Sequence, residues 1–298
     1  MPMTSPGSRS FWKVASVLVI LLALALAFWI LTRGPGTAPS PLPGEAGEAV
    51  RLATWNLYNF GRSKDAGEIA VMAEVLRNFD LVAIQEVSTS EAGVQAVARL
   101  DAALDRTGTA WEYVVSDPTT GDGSERYAYL WKPSRVRLVD PAWLEASLAD
   151  PIDREPYMAR FEHRASGRRM LLASFHAVPQ GKDPAREIVL LDDLHTRYLD
   201  DHLIILGDFN ESPDDEAFDE LKQAGYAPVL VGQKTSLRMR RRDDGDHLAN
   251  EYDNIFYEIA PFHIGRAGVL DFTEQFRTLR EARAISDHLP VFADVSWR

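Results

Sequence analysis

In Leu203–Asn210, LIILGDFN, four apolar residues lead through Gly207 to a carboxylate and a carboxamide two positions apart, Asp208 and Asn210. On an extended chain, residues two apart point to one side, so these two polar groups would share one small site. The carboxylate is a hard-oxygen ligand for Mg²⁺ or Ca²⁺, and the carboxamide can hold a water or a phosphate oxygen through its NH₂ group. Phosphoryl transfer needs both. The plainer reading is a strand that ends in an Asx-turn before Glu211–Asp215 opens a helix. Three other places bear on the choice. Glu86 directly follows the apolar run Leu81–Gln85, His176 ends the run Arg169–Phe175, and Asp287-His288 stands where a loop meets the final strand Val291–Val295. A carboxylate just past a buried run needs a partner, either a metal or a structural charge. A histidine on an apolar face is usually a hydrogen-bonded core residue, whereas one at a strand terminus is free to act on a ligand.

These groups need elements to carry them. Leu203–Leu206 suits a strand buried on both faces, with Gly207 ending it and allowing close backbone approach. Ala53–Asn56 reads as the end of a first strand. Ile69, Met72, Leu76 and Phe79 recur at helical spacing, as do Val94, Val97, Leu100 and Leu104. Trp111–Val115 and Arg126–Trp131 alternate as strands around the loop Asp117–Ser124, and Tyr157–Phe161 alternates again. Ile188, Leu191, Leu194 and Tyr198 mark one helix, with Glu187 at its start, leading into the central stretch. Phe218 and Leu221 suggest a short helix, and the strand Tyr252–Phe256 holds Asp253. The succession is α/β in character. Glu125 reads locally as a solvated charge, and Arg154 either clamps a phosphate bidentately or pairs with a neighbouring acid. Lys234–Asp246 reads as an exposed loop in which Arg238, Arg240, Arg241 and Arg242 precede Asp243, Asp244 and Asp246; most such runs are solvated and self-neutralising.

With 298 residues, 46% of them hydrophobic, the chain can bury a large core, which excludes disorder for most of it. Cysteine is absent, so disulfides and thiolate metal sites are excluded and any metal sits on oxygen and imidazole. A formal charge of −12 argues against capture of nucleic acid by a generally basic surface, although a bound divalent cation reverses the sign locally. Val14–Leu31 is uncharged and almost wholly apolar, and as a helix it spans roughly 27 Å, close to a bilayer core. Arg9 and Lys13 precede it, which points the N-terminus to the cytoplasm and everything downstream outside. A cleaved signal peptide is the competing reading, but bulky Phe28-Trp29-Ile30-Leu31 offers no small-x-small cleavage site. The expected organisation is a cytoplasmic segment 1–13, a transmembrane signal anchor 14–32, a Pro/Gly-rich linker 33–49 and a catalytic domain 50–298.

Nine motifs occur in one order: TWNLYNFG, AIQEV, SERYAYLW, DREP, SFHAVP, AREI, LGDFN, YDNI and AISDHLP. In them the chain resembles the endonuclease/exonuclease/phosphatase superfamily, most of all its pancreatic-type deoxyribonuclease I branch, from about residue 50 to the C-terminus. The resemblance implies a four-layered α/β/β/α sandwich of two mixed β-sheets, with the active site at one sheet edge. It implies that Glu86 holds a divalent metal with Asn56 and Asp287 close by, the ion being Mg²⁺ or, in its place, Ca²⁺ or Mn²⁺. Asp208 and Asn210 would bind a second cation or position water and phosphate. His176 would pair with Glu125 and His288 with Asp253, while Arg154 and Thr235 would hold the phosphate.

Three positions depart from the pattern. Where the pancreatic-type enzyme sends two arginines and a tyrosine into the DNA minor groove, this chain has Tyr58, Ser88 and Gly123. The implied activity is hydrolysis of DNA phosphodiester bonds by in-line water attack, with one imidazole–carboxylate pair as base and the other as acid. The alternatives are a phospholipid or inositol-phosphate phosphoesterase of the same superfamily, to which a membrane anchor is suited, and an inactive binding module on the same fold.

Overall fold

The computed structural model describes residues 49–298. The expected span 14–32 lies outside them, and among the described residues no helix is long and apolar enough to cross a membrane. In chain order the elements are β1 (Val50–Phe60), α1 (Ala66–Leu76), β2 (Leu81–Val87), α2 (Glu91–Asp105), β3 (Glu112–Val115), β4 (Arg126–Trp131), β5 (Val136–Leu138) and β6 (Trp143–Leu144). They continue as β7 (Tyr157–His163), β8 (Arg169–His176), α3 (Ala185–Ile188), α4 (Asp192–Arg197), β9 (Leu203–Asp208) and α5 (Asp219–Gln223). The last are β10 (Tyr226–Pro228), β11 (Asp253–Glu258), β12 (Phe262–Val269), α6 (Leu279–Ile285) and β13 (Val291–Trp297).

The strands form two mixed sheets, ordered β12-β13-β1-β2-β4-β3 and β10-β11-β9-β8-β7-β5, with β6 beside β7. Pairs β1/β2 and β8/β9 are parallel. Period-two alternation explains why one strand serves two cores. On β1, Val50 and Leu52 face the opposite sheet, while Ala53, Trp55 and Leu57 pack under α1, α2 and α6. On β9, Ile204 and Leu206 face inward, while Leu203 and Ile205 pack on the helical side. Three apolar layers therefore separate a helical layer, two sheets and a second helical layer. Hydrophobic runs without polar interruption are what such doubly covered strands require.

Several expectations of the elements are corrected. The helix expected over Ile188–Tyr198 is two short ones, because Leu190 and Leu191 bond back three residues, to Glu187 and Ile188, and break the ladder. The helix expected at Glu211–Asp215 starts later, as a single 3₁₀ turn Glu216–Phe218 capped by Asp215. Gly207 does not end β9 but lies within it. A Cβ there would sit 1.8 Å from Phe175 O, so β8 and β9 approach as closely as they do only with glycine at this point. The loop from Lys234 is not exposed throughout, since Thr235, Ser236 and Leu237 are buried.

Candidate active site

The same alternation that builds the core between the sheets delivers polar groups at its edge. Val50 and Leu52 are followed on their face by Thr54 and Asn56, Leu81 and Ala83 by Gln85, and Leu172 by Ser174 and His176. Ile204 and Leu206 are followed by Asp208; Ile255 is preceded by Asp253, and Tyr127 by Glu125. Strand register aligns them, for Asp208 is the direct partner of His176 across β8/β9 and of Asp253 across β9/β11. A buried relay separates core from site: Gln85 donates to Ser174 Oγ at 2.9 Å and to Thr54 Oγ1 at 3.0 Å. The sequence reading did not single out these three. Polar residues inside otherwise apolar runs were the available signal.

Each imidazole is backed by an acid and faces a third carboxylate. His176 Nδ1 lies 2.9 Å from Glu125 Oε2, and His288 Nδ1 lies 2.7 Å from Asp253 Oδ2. With Nδ1–H donating to an acid, the Nε2 atoms are left for chemistry. They lie 3.5 Å and 3.6 Å from Asp208 Oδ2. Burial pulls His176 down and Arg154 adds to that, but Glu125 and Asp208 together leave the imidazole above its ordinary value. Burial likewise opposes the proton on His288, yet Asp253 and Asp208 push that imidazole up to about 10. Burial pulls Asp208 the other way, and the two imidazoles, with hydrogen bonds from Asn56 and Asn210, hold it below the usual carboxylate range.

Asn56 joins this centre to Glu86. Its Nδ2 donates to Glu86 Oε1 at 2.9 Å and to Asp208 Oδ2 at 3.0 Å. Glu86 is not past β2 but inside its bulged end, where the β2/β4 register shifts between Ile84 and Val87. Its φ of 61° turns the carboxylate toward the cleft, where Asn59 N–H donates to Oε2 at 2.8 Å. Left-handed backbone at a non-glycine residue is costly. Five described residues have it, and Tyr58, Asn59, Glu86 and Asn210 are four of them.

Asn210 N–H donates to Asp208 Oδ1 at 3.0 Å, the hydrogen bond of the plain Asx-turn reading of LIILGDFN. Its Nδ2 donates to Ala177 O at 3.0 Å. Asp287 Oδ2 accepts from Arg283 at 3.0 Å, while its Oδ1 is buried without a hydrogen-bond partner, as is Asp253 Oδ1.

Two phosphate-binding expectations are altered by geometry. Thr235 is fully buried and its hydroxyl donates to Asp253 Oδ2 at 2.6 Å, which places it behind an acid rather than against a substrate. Arg154 directs Nε to His176 O at 2.9 Å and one terminal nitrogen to Ala177 O, leaving Nη1 at 3.6 Å from Glu125 Oε2. The Nε edge of the guanidinium is thus spent on backbone carbonyls, while Nη1 and the second N–H of Nη2 make no hydrogen bond to them. Glu187, read only as a helix start, is wholly buried and accepts from Asp153 N and Val178 N, both at 2.9 Å, so it braces the loop of Arg154 against the end of β8. Ser286 Oγ accepts from His288 N at 2.9 Å, and Trp55 Nε1 donates to His288 O at 2.8 Å.

Could this site hold a divalent cation? Buried carboxylate oxygens without donors are costly. Asp253 Oδ1 and Asp287 Oδ1 are two such atoms, and carboxylate oxygens are what a hard cation accepts, so in that respect the residues fit. Among the described residues one trio of ligand atoms lies within 4.8 Å, those of Asp208, Asp253 and His288. Ligation through His288 would have to displace the proton that Asp253 and Asp208 favour there.

Residues 53–288, which span every group described above, match the sequence profile of the "Endonuclease/Exonuclease/phosphatase family". The chain belongs to that family. It is a phosphodiester-hydrolysing enzyme, of a family whose members related to deoxyribonuclease I depend on a divalent metal. The chain is 30% identical to a deoxyribonuclease of Thioalkalivibrio sp. (strain K90mix), over 84% of this chain and 72% of that protein. It is 28% identical to deoxyribonuclease-1 of Bos taurus, over 83% of this chain and 92% of the bovine one. Among solved structures, an endonuclease/exonuclease/phosphatase family protein from Bacteroides thetaiotaomicron superimposes with a TM-score of 0.62 at 18% identity, covering 84% of this chain and 98% of that one. At that identity the likeness speaks for the fold alone.

Proposed function

We propose that this family member is a membrane-anchored, divalent-metal-dependent endonuclease that hydrolyses DNA. The observation that carries the reading is the convergence of two acid-backed imidazoles on Asp208 Oδ2. The deoxyribonuclease names of the relatives support the substrate.

In the proposed mechanism a phosphodiester lies over the edge formed by His176, Asp208 and His288. One imidazole takes a proton from the attacking water through Nε2, and the other gives a proton to the leaving oxygen. His288, with the proton held more strongly, is assigned the acid and His176 the base. Glu125 and Asp253 fix the tautomers and steady each imidazolium. Asp208 orients the water, and Asn210 and the remaining N–H groups of Arg154 would face the phosphate. Glu86, Asn56 and Asp287 would hold the metal, with Asp208 at its border, and when bound it would stabilise charge on the phosphoryl oxygens; Mg²⁺ is the ion proposed.

The anchor rests on the uncharged run 14–32 and the basic residues before it, which would leave the enzyme domain outside the cytoplasm. The test of function is a panel of plasmid DNA, single strands, RNA, sphingomyelin and inositol phosphates, each with Mg²⁺ and with EDTA. Nicking of plasmid that disappears in EDTA and returns with Mg²⁺ is the expected result. Turnover confined to a lipid or inositol phosphate would overturn the substrate, and full hydrolysis in EDTA would overturn the metal.

A further inference from the structure

We propose that residues 235–248 form a cationic arm that grips the sugar-phosphate backbone of a nucleic acid beside the cleavage point, an inference that rests on the nuclease reading. The arm is rooted in the catalytic segment itself. Leu237 N–H donates to Asp287 O and Leu289 N–H to Thr235 O, both at 2.7 Å, and Ser236 pairs with His288 as an antiparallel bridge. Arg283 locks the same root, donating to Leu237 O at 2.7 Å and to Asp287 Oδ2 at 3.0 Å.

From this root the chain leaves as a narrow antiparallel hairpin. Leu237 pairs with Leu248, Arg238 N–H donates to His247 O at 2.8 Å, and Arg242 N–H donates to Asp246 O at 2.9 Å. The tip turns at Gly245, whose N–H bonds back to Arg242 O at 3.0 Å. The chain bends at Met239 and Arg240, between the Arg238 and Arg242 bonds, so Arg240–Arg242 lie at the far end of the arm.

The charge is distributed for an external partner. Asp246 is taken up internally by Arg238 at 3.3 Å and Lys234 at 3.6 Å. Arg240 and Arg242 make no ion pair among the described residues, and Met239 beside them is 77% exposed. Asp243 and Asp244 are exposed beside them at the turn, so three arginines against two acids leave the tip a small positive excess, on a chain of charge −12 and next to a site crowded with acids. A polyanion approaching such a site needs local positive potential, and arginine on backbone phosphates supplies it without reading sequence. An exposed methionine among arginines also suits an anionic bilayer. Shared backbone pairing with the segment of His288 favours nucleic acid, because a strand held by the arm is thereby held at the reacting edge.

The experiment uses the full chain with Arg240, Arg241 and Arg242 changed together to Glu. The control changes Arg77, Arg106 and Lys222 to Glu, an equal change of charge on the ends of α1, α2 and α5, which lead into strands at the opposite sheet edge. Binding of a fluorescein-labelled 20-mer, single-stranded and duplex, is read by anisotropy in EDTA, so that it is independent of turnover. Hydrolysis of plasmid DNA is compared with that of bis(p-nitrophenyl) phosphate under Mg²⁺. The arm variant is expected to bind the oligonucleotides at least about tenfold more weakly, with a salt slope smaller by about 2–3. Its ratio of plasmid to small-diester kcat/KM should fall by a similar factor, and the control should stay within about threefold of wild type. An arm variant indistinguishable from the control overturns the proposal. So does loss of binding to phosphatidylserine vesicles with oligonucleotide binding intact. Arm-dependent binding in a protein that cleaves no nucleic acid would sustain the arm and defeat the proposed function.

Discussion

His176 Nε2 and His288 Nε2 face one atom, Asp208 Oδ2, at 3.5 Å and 3.6 Å. One carboxylate oxygen thus meets two imidazoles, each held at Nδ1 by its own acid. In the proposed mechanism, replacing either imidazole removes one proton transfer. His176→Ala and His288→Ala should each lower kcat by about 10²–10⁴-fold, as should Asp208→Ala, with far-UV dichroism unchanged. A variant that lost its fold with its activity would show a structural role instead.

The pH response follows from the His288–Asp253 pair. His288 is pushed up to about 10 chiefly by Asp253 against the pull of burial, so Asp253→Asn leaves burial in command and the imidazole falls. If His288 is the acid, the alkaline limb of kcat/KM for a small diester should move down by about one unit or more in Asp253→Asn. An unmoved limb would assign the acid elsewhere. Because the folded value of His288 lies above the unfolded one, that imidazole contributes its stability in full below the unfolded pKa of about 6.5, whereas burial pushes Asp253 up to about 6 and works against the pair. That contribution is lost as pH rises through about 10. Urea unfolding at both ends of this window should show wild type losing more stability than Asp253→Asn.

Gly207 couples fold to site. A methyl group there would lie 1.8 Å from Phe175 O, at a φ of 148°. Gly207→Ala should therefore cost on the order of 3 kcal/mol in urea unfolding. It should also lower kcat, since the same contact holds His176 opposite Asp208. Stability equal to wild type would mean that the strands can part without penalty.

A weak duplex grip is expected at the cleft beside Glu86. This cleft, of about 530 Å³, is lined by Tyr58, Ser88 and Gly123, with Arg62 and Arg154 as its cationic side chains. Gly123 has no room for a side chain, since a Cβ would lie 2.5 Å from Asp153 Oδ2. Wild type should therefore nick plasmid slowly relative to a pancreatic-type enzyme, and Ser88→Arg should raise nicking about threefold or more by adding a charge-assisted phosphate or groove contact. Equal rates for Ser88→Arg and wild type would mean that the cleft does not meet the duplex.

Much of this protein is legible in its sequence. Apolar runs that end in Asp208 and His176 gave the strands and their polar termini, because a strand's period of two carries one face from core to edge. The pairing of His176 with Glu125 and His288 with Asp253 came from motif resemblance and stands in the geometry. Tertiary structure alone decided what those motifs leave open. Glu86 reaches the cleft only because β2 bulges into left-handed backbone, and Asn56 bridges it to Asp208 across 152 positions. Thr235 is buried behind Asp253, and Arg154 spends its Nε edge on the carbonyls of His176 and Ala177. The reason is physical: local spacing fixes which face a side chain leaves from, whereas its hydrogen-bond partners come from strands distant in sequence and are set when the two sheets close on each other.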